Sequence, residues 1–244
     1  MSDVWYAVPT MKQGSDESSL AKWRARGYKL AVYQDMGRVP VPAEMHLYGD
    51  YAGYASAVNQ LCFAILAQYP DTQVIITGGD DIDPDPRCNP VDVEREFVHH
   101  FGGTFGVMQP TGDRWMVNAE GLCACERVLE SPWMGREWIH RINGGGGPIW
   151  HEYFHFFEEE EHLEVAKMVG RLWLRPELNQ HHHHWSREGR PRPKYLSAAR
   201  LNWDGAKALY VGRKNNGFPG HEPVPEVVRT PLVTSGIVSD AGAS

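Results

Sequence analysis

The sequence lacks three features that would point to common classes of protein. No apolar run among its 244 residues approaches the roughly 20 residues that a membrane-spanning helix needs. Cysteine is scarce, with four in the chain and no Cys-x-x-Cys spacing, and the first residues carry no basic region typical of a signal peptide. The net charge is −7, which argues against a general nucleic-acid-binding protein. We therefore expect a cytoplasmic protein with no membrane partner.

Apolar segments of strand length alternate with helical patterns in the first half of the chain. Hydrophobic residues make up 42% of the sequence, enough to bury a core. Strands are predicted at residues 4–8, 30–33, 73–77 and 105–108, and helices at residues 55–68 and 93–101. This alternation predicts an α/β fold with a mostly parallel sheet flanked by helices.

The second half of the chain has a less regular pattern. Four glycines at residues 144–147 predict a mobile loop. A helix is predicted at residues 158–169 and a last strand at residues 172–174. The sequence after residue 186 predicts an irregular extension, which ends in an extended or frayed tail beyond Pro219.

An Asp-rich segment follows one of the predicted strands. The apolar run at residues 74–77 leads through two glycines to Asp80, Asp81 and Asp83. Open α/β sheets bind ligands at the carboxyl edge of their strands. Carboxylates there suit a hard divalent cation that keeps positions open for phosphate oxygens. Asp81 and Asp83 therefore predict a site for Mg²⁺ or Mn²⁺ and a nucleotide-sugar diphosphate. The alternative is an ordinary turn rich in Asp and Pro.

Four consecutive histidines at residues 181–184 can ligate a metal or form a hydrogen-bonded polar turn. In an extended segment His182 and His184 point the same way, because side chains alternate with period two. We expect one of them to complete the coordination of the metal at Asp81 and Asp83. His184 is the first choice and His182 the second.

An acidic run follows a segment rich in aromatic residues. It consists of Glu158, Glu159, Glu160 and Glu161. Such a run is often only a solvated helix start, where carboxylates complement the helix dipole. A carboxylate at a helix start that faces a cleft can also deprotonate an acceptor hydroxyl. Glu159 is the preferred base, with Glu158 and Glu160 as alternatives.

Polar and aromatic residues near the ends of the first strands are candidates for holding a nucleotide. In a sheet of this kind they would lie beside the predicted metal, although each could instead serve packing or capping. The candidates are Thr10, Asp35, Tyr51, Tyr54, Asn59, Asp80 and Asp81.

One segment departs from the acidic character of the chain. Residues 187–214 carry eight basic residues against the two acids Glu188 and Asp204, which nets +6, with aromatic residues between them. Such a segment binds a polyanion or forms a solvated basic face. The basic residues are Arg187, Arg190, Arg192, Lys194, Arg200, Lys207, Arg213 and Lys214.

These motifs together resemble the GT-A glycosyltransferases. In that superfamily the Asp-x-Asp binds Mg²⁺ or Mn²⁺ and the sugar-nucleotide diphosphate. Residues 157–161 followed by Gly170 look like the Glu-Asp-x-Glu-Leu element of family 2-like inverting enzymes, and the usual base falls on Glu159. Glu stands here where Asp is typical, and His162 where Leu is typical.

Three further stretches are similar to uncharacterised transferase-like proteins from tailed phages. They are residues 106–115, 131–137 and 182–185. The resemblance implies a GT-A domain at residues 1–185, with a nucleotide-sugar half at 1–110 and an acceptor half at 111–185. Residues 186–244 are then a basic extension that packs on the same domain.

The sequence thus predicts a metal-dependent, inverting glycosyltransferase that uses a UDP-sugar such as UDP-glucose. The preferred acceptor is a 5-hydroxymethylpyrimidine in phage DNA, which residues 187–214 would contact. One alternative is a GT-A transferase that acts on a glycan, lipid or protein. Others are a phosphoesterase or nuclease with two metals about 3.5–4 Å apart, and a non-catalytic carbohydrate-binding protein.

Overall fold

A seven-stranded sheet forms the centre of the protein. The computed structural model describes residues 3–14 and 18–225. Its strands are β1 (Trp5–Pro9), β2 (Lys29–Gln34), β3 (Met45–Tyr48), β4 (Val74–Thr77), β5 (Val107–Pro110), β6 (Trp133–Gly135) and β7 (Leu172–Arg175). They lie in the order β3-β2-β1-β4-β6-β5-β7, and β6 is antiparallel to both of its neighbours. The predicted mostly parallel sheet is confirmed.

Helices cover both faces of the sheet. They are α1 (Ser18–Ala25), α2 (Tyr54–Gln68), α3 (Pro90–Phe101), α4 (Ala124–Arg127), α5 (Arg136–Arg141), α6 (Glu158–Met168), α7 (Lys194–Arg200) and α8 (Trp203–Asn215). Trp5 and Ala7 of β1 pack into a core with α2, α5 and α6. Tyr6 and Val8 point the other way, into a core with α1 and α3. None of the helices in the described part of the chain has both the length and the apolar character for crossing a membrane.

The strand order reverses between β1 and β4. From β1 the chain moves outward to β2 and β3, and it then returns to β4 on the opposite side of β1. The connections after β1 and β4 therefore leave the sheet in opposite directions and open a crevice at its carboxyl edge. Open α/β sheets bind their ligands at such a switch point.

Two strands and the fold of the extension differ from the sequence prediction. Strands β3 and β6 were not predicted, because four and three residues are too few to show a clear period. Residues 186–225, expected to be irregular, contain α7 and α8. Helix α8 is fixed by packing, since Arg213 is buried and binds Glu161 of α6 at 2.8 Å. The tail predicted beyond Pro219 lies largely outside the described residues.

The four glycines at residues 144–147 do not form the free loop that the sequence predicts. The backbone N–H groups of Asn143 and Gly144 donate to the carbonyls of His221 and Glu222 at 3.2 and 3.1 Å. Part of the segment forms a short 3-10 helix, Asn143–Gly145. The loop is tied to the chain that follows α8, which argues against the predicted mobility.

Candidate functional site

Two of the residues predicted to hold a nucleotide, Thr10 and Asp80, meet in the crevice between β1 and β4. Thr10 follows β1, and its hydroxyl donates a 2.5 Å hydrogen bond to Oδ2 of Asp80, which follows β4. Lys12 Nζ donates to the carbonyl of Asp80 at 2.5 Å. Lys12 therefore brings a positive charge to the switch point. The sequence did not single it out, because an isolated lysine in a loop belongs to no motif.

The loop after β4 is joined to the histidine run by a short antiparallel bridge. Ile82 pairs with His182. On either side, the N–H of Asp83 donates to the carbonyl of His181, and that of His183 to the carbonyl of Asp81, both at 2.9 Å. Side chains alternate along such an extended segment. The four histidines are thereby divided between two faces.

Asp83 contacts His183, one of the two histidines on its face. Its Oδ2 lies 2.8 Å from His183 Nε2 and 2.5 Å from Lys22 Nζ. His181, His183 and Glu188 can present ligand atoms within 4.8 Å of one another. Burial opposes ionisation, but Lys22 and His183 outweigh it and lower the pKa of Asp83. Asp83, His181 and Lys22 also line a cavity of about 460 Å³.

One oxygen of Asp83 indicates what this group can bind. Oδ1 is buried and has no hydrogen-bond partner among the described residues. A buried carboxylate oxygen without a partner is unfavourable, and a coordinated cation would satisfy it. Two imidazoles and a carboxylate are a suitable ligand set for a divalent transition metal. These residues therefore fit a divalent transition metal, with ligands that differ from the set predicted from the sequence.

Asp81 belongs to a different group from Asp83. Its Oδ1 lies 3.4 Å from His182 Nε2, and His182 Nδ1 lies 3.8 Å from Oε1 of Glu130. Burial lowers the pKa of His182, but the two carboxylates outweigh it and raise the pKa to about 10. Burial likewise opposes ionisation of Asp81, but His182 and Lys12 outweigh it and lower the pKa of Asp81.

The four residues expected to hold one metal, Asp81, Asp83, His182 and His184, are therefore divided between two faces. His182 and His184 do share a face, with ring centroids 5.3 Å apart. It is the face of Asp81, and His184 Nδ1 is bonded to the Ser186 hydroxyl at 2.8 Å. The histidine in contact with Asp83 is His183. The alternation of side chains was predictable, but the choice of face depends on the register of the bridge, which was not.

Glu130 is a site residue that the sequence analysis missed. Besides contacting His182, it adds its negative charge to the surroundings of Glu159. The two segments also touch through their backbones, because the N–H of Leu129 donates to the carbonyl of Glu159 at 3.3 Å. A single glutamate in a loop before a three-residue strand has no sequence pattern by which it could be found.

The acidic run opens α6, and its four members have different surroundings. Glu158 is buried, and its Oε2 has no hydrogen-bond partner in the described part of the chain. Burial raises the pKa of Glu158 and of its half-buried neighbour Glu159, and the nearby charge of Glu160 adds to both shifts. Burial also raises the pKa of Glu160. Glu161 is a structural residue, since it receives hydrogen bonds from Arg213 at 2.8–3.0 Å.

Two of the predicted nucleotide residues, Asp35 and Tyr54, lie near the carboxyl edge of the sheet. Asp35 follows β2 and forms an ion pair with Arg38 at 3.0 Å. The Tyr54 hydroxyl lies 3.3 Å from Oγ1 of Thr77, the last residue of β4. Burial raises the pKa of Tyr54, and the nearby charge of Glu159 adds to the effect. Tyr54 thus lies between the end of β4 and the start of α6.

Asn59 has a structural function and not the predicted contact with a nucleotide. Its side chain is buried; Nδ2 donates to the carbonyl of Ile149 at 2.7 Å, and Oδ1 accepts from the N–H of Ile149 at 3.1 Å. Both ends of the amide are therefore used by the backbone. A Cβ at Gly147 would lie 2.7 Å from Asn59 Cγ, which explains why glycine occupies that position.

The basic segment is not a continuous strip of unpaired charge. Arg187 is paired with Asp113 at 2.7 Å and Arg213 with Glu161 at 2.8 Å. Arg192, Arg200 and Lys207 are exposed on the surface. The side chains of Lys194 and Tyr195 lie outside the described part of the structure. The charge available to a polyanion is thus smaller than the sequence suggests.

No protein-family model matches this chain, and no curated protein matches it significantly. The catalytic domain of Drosophila β1,4-galactosyltransferase 7, solved with xylobiose, is similar at 13% identity and a TM-score of 0.46 over 82% of this chain and 80% of that chain. A glycosyltransferase involved in glycosylation of the major capsid of PBCV-1 is similar at 9% identity and a TM-score of 0.39, over 70% and 81%. A197 from STIV is similar at 10% identity and a TM-score of 0.46, over 75% and 86%.

Proposed function

We propose that this protein is a metal-dependent glycosyltransferase of the GT-A type, which transfers a sugar from a UDP-sugar to a hydroxyl group. One observation carries the proposal. Asp83, a carboxylate with an unpaired buried oxygen, contacts His183 beside the switch point of an α/β sheet, and His183 forms with His181 and Glu188 a group whose ligand atoms lie within 4.8 Å of one another. Such a site suits a metal ion that binds a diphosphate.

Asp83, His181 and His183 would hold the metal, in place of the predicted set that included His182 and His184. Two imidazole ligands make Mn²⁺ a better fit than Mg²⁺, which prefers oxygen ligands and retains water. When bound, the ion supplies positive charge to the leaving diphosphate. Glu188 lies 3.3 Å from His183 Nδ1 and would orient the ring while Nε2 binds the metal.

The nucleotide would occupy the crevice between β1 and β4. Lys12 contributes positive charge there, and Thr10 and Asp80 offer polar atoms at the end of the two strands. Asp81 would accept hydrogen bonds from ribose hydroxyls. Asp35, at the end of β2, would accept from the N–H of the base.

Glu159 would act as the general base. It deprotonates the acceptor hydroxyl, whose oxygen attacks the anomeric carbon from the side opposite the diphosphate and inverts the configuration. Burial raises the pKa of Glu159, and the negative charges of Glu158, Glu160 and Glu130 raise it further. A base with a raised pKa holds the transferred proton more strongly. The helix dipole at the start of α6 acts in the other direction and stabilises the ionised carboxylate.

The acceptor we prefer is a 5-hydroxymethylpyrimidine in DNA, supported by the exposed cations Arg192, Arg200 and Lys207. The internal pairing of Arg187 and Arg213 favours a second candidate, an uncharged glycan. A two-metal nuclease is less well supported. In residues 3–14 and 18–225, a single group of three or more possible ligands, His181, His183 and Glu188, meets the distance requirement.

Release of UDP from UDP-glucose tests the proposal. The protein would be mixed with Mn²⁺ and with hydroxymethylated DNA, unmodified DNA or an oligosaccharide as acceptor. We expect release that depends on Mn²⁺ and on one acceptor class, and that falls by at least about 100-fold in Asp83→Asn, which corresponds to about 3 kcal/mol of barrier.

Asp92→Asn, in the exposed first turn of α3, is the matched control and should retain the wild-type rate. Release with the oligosaccharide alone would replace DNA by the glycan as acceptor. DNA cleavage without a sugar donor, or equal rates for the two Asp variants, would refute the transferase.

A further inference from the structure

A partly buried ion pair, Asp113–Arg187, binds the backbone of the histidine run. Asp113 follows β5 and is buried, and both of its carboxylate oxygens accept from Nη1 of Arg187, at 2.9 and 2.7 Å. Oδ2 of Asp113 also accepts from the N–H of His182 at 3.0 Å. Nη1 of Arg187 also donates to the carbonyl of His182 at 3.3 Å. The ion pair therefore forms hydrogen bonds with both the backbone N–H and the carbonyl of His182.

The loop after β5 packs closely against the segment that leads into the histidine run. The N–H of Gly112 donates to the carbonyl of Leu178 at 2.7 Å, and a Cβ at Gly112 would lie 2.5 Å from that oxygen. Trp115 packs against the rings of His182 and His184, with centroids 5.9 and 4.8 Å away. The loop after β5 and the histidine run consequently form one packed unit.

The hydrogen bonds to the His182 backbone also determine the direction of the two neighbouring side chains. Adjacent side chains in an extended segment point to opposite faces. When both backbone groups of His182 are held, the rings of His181 and His183 are directed to the face of Asp83. A shift of the run by one residue would exchange these rings for those of His182 and His184.

We propose that the Asp113–Arg187 pair is a positioning device for the metal ligands His181 and His183, a role that rests on the proposed function. Neither side chain is itself a proposed ligand. The two side chains keep the antiparallel bridge between Ile82 and His182 in one register. Groups that orient metal ligands typically change metal affinity by about 10–100-fold when they are removed.

The test is the dissociation constant of Mn²⁺, from electron paramagnetic resonance of the free ion, together with amide hydrogen exchange. Asp113→Ala and Arg187→Met should each weaken Mn²⁺ binding by about 10–100-fold. Both should also accelerate exchange at the amides of His182 and His183. Asp113→Asn retains an acceptor for the His182 N–H and should show a smaller change in both quantities.

Arg87→Met is the matched control. Arg87 also pairs with a buried aspartate, Asp85, at 2.6 Å, but it does not bond to the histidine run. This variant should leave Mn²⁺ affinity and exchange at His182 unchanged. Equal effects of Arg87→Met and Arg187→Met, or a loss of thermal stability with unchanged affinity and exchange, would overturn the positioning role.

The same measurements distinguish failure of the proposed function from failure of the positioning role. If the wild-type protein binds no Mn²⁺, the metal site is refuted. The exchange rates at His182 and His183 then decide by themselves whether the pair holds the run. Unchanged exchange in Asp113→Ala would refute the positioning role in that case.

Discussion

At the scale of single residues, the proposed base Glu159 lies in a concentration of negative charge around His182. Glu130 and Asp81 flank His182. The charges of Glu130 and His182 in turn affect the pKa of Glu159. Carboxylates that repel one another in a shielded space bind protons more tightly. The pKa of the proposed base therefore depends on neighbours that do not touch the reacting atoms.

The pH dependence of kcat/KM should reveal this coupling. The base acts in its ionised form, so activity should rise with pH through an apparent pKa well above that of an ordinary glutamate. Glu130→Gln removes a negative charge that raises the pKa of Glu159, and the acid limb of the profile should move to lower pH. Glu126→Gln, a change in a partly buried carboxylate that is paired with Arg114, should leave the limb in place. An unchanged limb in Glu130→Gln would contradict the assignment of Glu159.

The sequence could indicate Asp81, Asp83 and Glu159 because each lies in a local pattern: a strand that ends in carboxylates, or an acidic helix start. It could not separate His183 from His184. That choice depends on the register of a bridge between segments about a hundred residues apart. Asn59 was misassigned for a related reason, because its partner Ile149 is distant in the chain.

At the scale of elements, helix α8 is attached to the proposed acceptor side through a buried ion pair. Arg213 and Glu161 have side-chain exposures of 8% and 3%, so neither charge is solvated by bulk water. The guanidinium also lies 3.5 Å from the centre of the Trp150 ring. Since α6 carries the acidic run at its start, the position of α8 supports the helix on which the proposed base lies.

Arg213→Met should destabilise the protein by about 3–5 kcal/mol, because it leaves the buried carboxylate of Glu161 without its counter-charge. Urea unfolding measures this change. Lys214→Met is the control: its ammonium is half exposed and lies 3.9 Å from Glu164, so the expected loss is about 0–1 kcal/mol. Equal losses in the two variants would show that the buried pair does not stabilise α8.

The long elements were predictable and the short ones were not. Helix α2 shows its buried face in the spacing of Val58, Leu61, Cys62 and Ile65. Strand β3 carries polar residues at the edge of the sheet, and β6 has three residues. Helix α8 has a weak apolar pattern, and its stability comes from packing on α6 and not from its own sequence.

At the scale of the whole molecule, the reversal of strand order brings residues from distant parts of the chain to one edge of the sheet. The loops after β1 and β4, the start of α6 and the histidine run all contribute to this edge. The domain boundary expected at residue 185 stays a prediction. The α/β architecture followed from the alternation of strands and helices, which is a property of the sequence as a whole.

The most direct test of the proposed metal site is a Mn²⁺ titration in the presence of UDP, followed by electron paramagnetic resonance. Wild-type protein should bind one Mn²⁺ per chain, and UDP should tighten the binding. His183→Ala should weaken it by at least about 100-fold, beyond the range of residues that only orient ligands. His184→Ala, on the opposite face of the run, should bind like wild type. Normal binding by His183→Ala with loss in His184→Ala would contradict the proposed site, as would a wild-type protein that binds no Mn²⁺.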